Sequence, residues 1–176
     1  MAPKQIRPIR VEGNIAYIPL TNGYEALVDA NDVHLVEGYN WCSRIHRRKD
    51  GSIRNIYAQR SVQKLGVARN VWMHREILAA PEGLEVDHRN GNGIDNTRSN
   101  LRAATRGQNR CNCGASSRSK SGIKGVHFDD KRQKWVVSIA LDGKSRTVGR
   151  FVFLADASAA YAKASAEMHG EFGRTA

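Results

Sequence analysis

Residues 86–109 read VDHRNGNGIDNTRSNLRAATRGQN, and the fold of the surrounding chain turns on this stretch. An adjacent pair, Asp87–His88, stands at its start. A loop dense in Gly and Asn follows, and two further asparagines, Asn100 and Asn109, lie beyond it. Leu84–His88 reads as a strand, Arg89–Asn100 as a polar loop and Leu101–Thr105 as a second short strand. Thr105 stands three residues before Gln108, a capping box that opens a helix at Arg106 and puts Asn109 in its first turn. The predicted order is strand, loop, strand, helix. A carboxylate beside an imidazole offers a metal ligand and a general base from neighbouring positions. An isolated Asp-His dipeptide is most often a structural loop element; this one gains weight from its joint occurrence with Asn100, the capping box and Asn109.

The chain of 176 residues carries a formal charge of +11, made of +3 over residues 1–86, +3 over 87–116 and +5 over 117–176. An excess in every segment, with no basic tail, fits an extended polyanion footprint, and the obvious polyanion is nucleic acid. No apolar run approaches the roughly 18 residues that span a bilayer, and the basic N-terminus lacks the apolar centre of a secretion signal. The expected location is therefore the cytoplasm, without a membrane partner. Cys42, Cys111 and Cys113 make no disulfide framework, and Cys111-Asn112-Cys113 lacks the four soft ligands of a zinc site; they are read as reduced thiols.

Upstream, the first 75 residues are β-rich. AYIPL, YEALV, RNIYAQRSV and VARNVWMH are short apolar or alternating runs, separated by turn signals such as Asn22-Gly23 and Asp50-Gly51. NDVHLVEGYNW reads as a short helix started by Asn31. Arg47-Arg48-Lys49 reads as a solvated turn, and His34, His46 and His169 fall in no motif. Downstream, residues 112–121 (NCGASSRSKS) are small and polar, a linker. Beyond it Gly125–Phe128 is a short strand, and Lys134–Leu141 alternates, with Trp135, Val137, Ile139 and Leu141 on its core face. Asp142-Gly143 is a hairpin turn and Ser145–Phe153 the return strand. Leu154–His169 is an amphipathic helix carrying Ala157, Ala160, Tyr161, Ala164 and Met168 at helical spacing.

MHREIL (residues 73–78) together with VDHRNGNGIDNTRSNLRAATRGQN resembles the HNH nuclease motif, in the variety of phage- and intron-associated homing endonucleases whose third position is Asn. The resemblance implies that Asp87 and Asn109 are metal ligands, that His88 is the general base and that Asn100, in the catalytic set with it, braces the loop between the strands. Asp87 and Asn109 offer hard oxygens with one negative charge between them, which suits one Mg²⁺ (or Mn²⁺) ion per active site. His74, in the MHREI stretch, is read as a core hydrogen-bonding residue. Residues 122–176 resemble the ethylene-response-factor type of DNA-binding domain, in which a three-stranded sheet enters the major groove. Several arginines of that pattern are absent here, and His127 stands where one often lies. The resemblance therefore implies contacts mostly to the DNA backbone, from Lys124, Lys131, Lys134, Lys144, Arg146 and Arg150 with His127.

The fold class expected is α+β. Residues 1–68 form a β-rich region, 69–111 a ββα-metal HNH nuclease core, 112–121 a linker, and 122–176 a three-stranded antiparallel sheet packed on one helix. The function expected is a metal-dependent, strand-nicking, homing-type DNA endonuclease acting on double-stranded DNA in a bacterial or phage-infected host cell, with no obligatory protein partner. The alternative is a non-catalytic DNA-binding or regulatory protein on an HNH-like scaffold, against which the intact set Asp87, His88, Asn100 and Asn109 argues.

Overall fold

Ala16, Ile18, Ala26 and Val28 are all but fully buried while the residues between them are not, the alternation of strands with one wet face. They belong to β2 (Ile15–Pro19) and β3 (Glu25–Asp29), which pair antiparallel with Ala16 opposite Val28 and Ile18 opposite Ala26. β1 (Arg10–Glu12) adds to the other edge of β2, so β3 is the sheet's second edge. The computed structural model describes residues 5–64, 66–116, 118–141 and 143–174. Expectations that fall on the first four residues, on Ser117 of the linker or on the turn residue Asp142 lie outside these.

The chain is mixed, strand-rich and short of helix, as an α+β protein is. Two units divide it, Met1–Ala103 and Ala104–Ala176. In the first, β4 (Cys42–Arg47), β5 (Ile53–Lys64) and β6 (Val67–Trp72) form a second antiparallel sheet in that order. The helix α1 (Met73–Leu78) follows and stops at Ala79, which takes a left-handed φ of 48° two residues before Pro81. Met73 and Ile77, four residues apart on α1, enter one apolar core with Trp41, Val36, Ala58, Leu101 and the inner face of the first sheet. Trp41 is fully buried, and its indole N–H donates to the Val36 carbonyl at 2.9 Å. β7 (Glu85–His88) and β8 (Leu101–Ala104) make a two-stranded sheet.

The short helix expected from Asn31 is a 3₁₀ helix over Ala30–Leu35, following Asp29. The Asp29 carboxylate does not cap it: that group accepts the Arg98 backbone N–H at 2.7 Å, so the loop of the motif takes the capping side chain. The Arg47-Arg48-Lys49 turn is exposed, and its arginines hydrogen-bond the carbonyls of Gly51 and Ile53.

In the second unit the Thr105–Gln108 capping box is present in both directions and opens α2 (Arg106–Cys111). β9 (Val126–Asp129), β10 (Lys134–Leu141) and β11 (Lys144–Phe151) form an antiparallel sheet with β10 central. α3 (Leu154–His169) lies on it, with Ala157, Ala160, Tyr161, Ala164 and Met168 packed against Val126, Val137, Ile139 and Trp135. Close approach sets one residue here. A Cβ on Gly125, whose φ is +70°, would meet the Ser138 carbonyl at 2.3 Å and the Tyr161 ring at 2.5 Å. Val136 shares a row with His127 and Arg150 on the face away from α3, yet it is 6% exposed and stands outside the α3-side core.

Candidate active site

The loop between β7 and β8 is a web of side-chain-to-backbone hydrogen bonds, as its Asn and Asp content favours. Asn100 Oδ1 accepts the Asn90 N–H at 3.0 Å, while its Nδ2 donates to the Asp95 carbonyl at 2.7 Å. Arg89 N–H donates to the Asn100 carbonyl, closing the loop's neck. Asn90 Oδ1 accepts from Asn92 N–H, and Asn90 Nδ2 donates to Asp95 at 2.8 Å. Two other elements grip the loop from outside. Leu27 on β3 donates its N–H to Ile94 and accepts from Asn96 N–H, both at 2.8 Å. Asn55 on β5 donates to the Gly91 carbonyl and accepts from Gly93 N–H, both at 3.0 Å. Gly93 lies so near β5 that a Cβ would stand 2.5 Å from the Ile56 carbonyl and from the Tyr57 ring.

His88 ends β7 almost fully buried, at 5% exposure. Its Nε2 lies 3.2 Å from Asn96 Oδ1, and Asn96 is itself wholly buried. Asn96 Nδ2 donates to the Ile94 carbonyl and approaches Met73 Sδ, both at 3.4 Å, which orients the amide with its oxygen toward the imidazole. That oxygen can only accept. The neutral ring therefore carries its proton on Nε2 and its lone pair on Nδ1. Burial lowers the His88 pKa from its ordinary value, opposed by the Asn96 hydrogen bond and by the nearby carboxylates of Asp87 and Asp95. Around the ring stand Tyr57, with centroids 5.8 Å apart, and His74 at 5.2 Å.

The structure corrects the expectation for His74. The ring stacks on Trp72 at 5.9 Å and meets Tyr57 edge-on, but its buried Nδ1 has no hydrogen-bond partner among the described residues. Burial, with His88 and Arg75 nearby, pushes its pKa down to about 3.

Asp87, 3% exposed, is held by Arg102 from the neighbouring strand β8. Arg102 Nε and Nη2 approach Asp87 Oδ2 at 2.8 and 2.6 Å, and the guanidinium is buried as well. Among the described residues no group of three or more His, Cys, Asp or Glu is placed to hold a metal ion. The motif's donor chemistry is thus one carboxylate with amide oxygens. Such a set suits a hard ion that keeps several waters and takes further oxygens from a phosphate, and not a zinc-type cage.

The structure brings Asp87, His88 and Asn100 together in the first unit; Asn109 is a half-buried residue of α2 in the second. Of the predicted DNA-contact residues, His127, Lys131, Lys134, Lys144, Arg146 and Arg150 are exposed. Register divides them: Arg150 and His127 lie in the row of Val136, whereas Arg146 and Lys144 pair with Ile139 and Leu141 of the helix-side face. Lys124 is engaged within its unit, its Nζ donating to the carbonyls of Arg110 and Cys111 at the end of α2 at 3.0 and 2.6 Å. Partial burial lowers its pKa. Cys42, Cys111 and Cys113 form no disulfide with one another. No sequence signal singles out Asn55, Tyr57, Asn96 or Arg102, although Asn96 and Arg102 lie inside residues 86–109.

The HNH endonuclease family model matches residues 79–111, from the end of α1 through α2. A curated relative, Protein 3.8 of Escherichia phage T7, is 30% identical over 94 residues, which are 53% of this chain and 77% of that protein. No solved structure matches. No helix among the described residues is long and apolar enough to cross a membrane.

Proposed function

Because the chain belongs to the family of phage T7 Protein 3.8 and carries an HNH endonuclease domain, we propose that it is a metal-dependent DNA endonuclease of the strand-nicking, homing type, working in the cytoplasm of a phage-infected or bacterial cell. The observation that carries this reading is the Asn96–His88 hydrogen bond, which leaves the lone pair of a buried, neutral imidazole on Nδ1. A base of that kind takes a proton from water near neutral pH.

In this reading His88 Nδ1 accepts the proton of the water that attacks the phosphorus. Asn96 keeps the ring in the productive tautomer, and Asn100 holds the loop that carries both neighbours. Tyr57 and His74 shield the ring from bulk water. Asp87 with Asn109 would hold one Mg²⁺ or Mn²⁺ ion; the pairing of these two comes from the motif. When bound, such an ion supplies Lewis-acid stabilisation of charge on the departing 3′ oxygen. The basic residues of the second unit, Lys131, Lys134, Lys144, Arg146 and Arg150 with His127, contact double-stranded DNA, mainly its phosphates. Lys124 contributes by fixing the end of α2. One active site per chain cuts one strand per encounter, so open circle is the expected product.

One observation favours a second reading, DNA binding without hydrolysis: the Asp87 carboxylate is ion-paired with Arg102. Conversion of supercoiled plasmid to open circle in Mg²⁺, with EDTA and His88→Ala controls, separates the two. Nicking lost in both controls supports the nuclease. Plasmid retention on the protein without nicking, in Mg²⁺ and in Mn²⁺, supports the second.

A further inference from the structure

β7 and β8 place a guanidinium against the one carboxylate that the motif offers a metal. Both Arg102 and Asp87 are more than nine-tenths buried, and two guanidinium nitrogens lie within 2.8 Å of the same carboxylate oxygen. A buried charge that loses its partner is strongly disfavoured, so this pair is a fixed part of the fold and not a passing surface contact. Its formal charge is zero. Asn96 and Asn100, the loop's buried amides, are neutral and add no negative charge. Asp95, the remaining acidic residue of the loop, is turned to Asn90 and to the Thr97 hydroxyl. A divalent ion arriving alone therefore meets a carboxylate whose charge Arg102 already cancels and whose Oδ2 it already holds, so little is left there to repay the ion's dehydration.

We infer that Arg102 makes ion loading depend on the DNA: the site holds its divalent cation well only when a backbone phosphate stands beside Asp87 and brings negative charge and oxygen ligands. This rests on the nuclease reading of the site and adds an order to it, DNA before metal. Arg102 is a positioning residue here. It fixes the Asp87 carboxylate and cancels its charge, so that free protein stays unloaded and does not cut while it diffuses without substrate. The partner recognised is a phosphodiester anion, whose charge restores a net −1 to the site.

The test is Mn²⁺ binding by the full chain, read from the electron-paramagnetic-resonance signal of free Mn²⁺, with and without a mixed-sequence DNA duplex and corrected for Mn²⁺ taken up by the duplex alone. A His88→Ala background prevents turnover. The expected results are at least tenfold tighter Mn²⁺ binding with duplex than without, and tightening of at least tenfold without duplex in Arg102→Met. Arg102→Lys, which keeps the charge, stays weak, and Asp87→Asn abolishes the gain. Equal Mn²⁺ affinity with and without duplex overturns the inference, as does a folded Arg102→Met protein that binds no more tightly than its parent. Should Arg102→Met fail to fold, the duplex comparison decides alone. DNA-independent Mn²⁺ binding in a protein that nicks plasmid sinks the loading order and leaves the nuclease standing. Absence of nicking in the otherwise wild-type chain sinks the nuclease reading itself.

Discussion

The imidazoles of His74 and His88 meet edge to face, their centroids 5.2 Å apart and their planes at 89°. Protonating either ring in this setting places a charge in a space walled by Tyr57 and Trp72. Two pH dependences of opposite use follow, one in stability and one in chemistry.

For stability, the unfolded chain binds a proton on His74 near its ordinary pKa of 6.5, whereas the folded chain does so only near 3. The contribution of His74 is complete above pH 6.5 and is lost as pH falls from 6.5 toward 3, at about 1.4 kcal/mol per pH unit. His88, also lowered, acts in the same direction. His74→Phe keeps the stack on Trp72 and removes both the titration and the unpartnered Nδ1. Urea midpoints at pH 7, 6 and 5 should fall less steeply in His74→Phe than in the parent; parallel slopes would refute the assignment.

For chemistry, the lowered pKa of His88 keeps the base neutral into mildly acidic solution. The acid limb of the nicking rate should lie below pH 6.5. Initial rates on supercoiled plasmid between pH 5 and 8 locate it, and a midpoint above 6.5 excludes a desolvated His88 as the base.

Asn96 acts on the same ring through its tautomer. Asn96→Ala removes the acceptor and is expected to lower kcat by about ten- to a hundredfold with little change in KM. Asn96→Asp keeps an oxygen acceptor and should recover part of the loss. An equal loss in both, with folded protein, would mean that tautomer control is not what Asn96 supplies.

Gly93→Ala forces a methyl group against the Ile56 carbonyl and the Tyr57 ring. The cost expected is about 1–3 kcal/mol, read as a drop in Tm. Gly114, where a Cβ would meet nothing within 4 Å, provides the control: Gly114→Ala should leave Tm unchanged.

The basic residues of the second unit divide by the same logic. Arg150→Ala should weaken duplex binding and lower the salt slope by about 1 while Tm holds. Lys124→Ala, which uncovers two carbonyls at the end of α2, should lower Tm. Fluorescence anisotropy across a salt series, beside thermal melts, reads both.

What could be read in advance was what depends on near neighbours. The Thr105–Gln108 box spans three residues, and the bounds of β10 and α3 follow from periods of 2 and 3.6 that lie wholly within each element. The Asn55 clamp could not be read this way, because its partners Gly91 and Gly93 are 36 and 38 residues distant and no local pattern joins them. Arg102 was legible in principle. It sits one strand away from Asp87, but a basic residue in a basic chain reads as a phosphate contact before it reads as a buried counter-ion. His74 misled for a similar reason: buried histidines are usually satisfied, and this one is surrounded by rings.

Leu27 on the edge of the first sheet exchanges two backbone hydrogen bonds with the loop that follows His88, and Asp95 bridges to it as a parallel partner. The loop is, in effect, a fourth strand borrowed for two residues. Grafting residues 69–111 into another host would leave that borrowed edge behind, together with the Asn55 clamp. The shortest fragment able to keep His88 aimed therefore begins before β3, and a recombination event that trades this motif between proteins must carry the upstream sheet along with it.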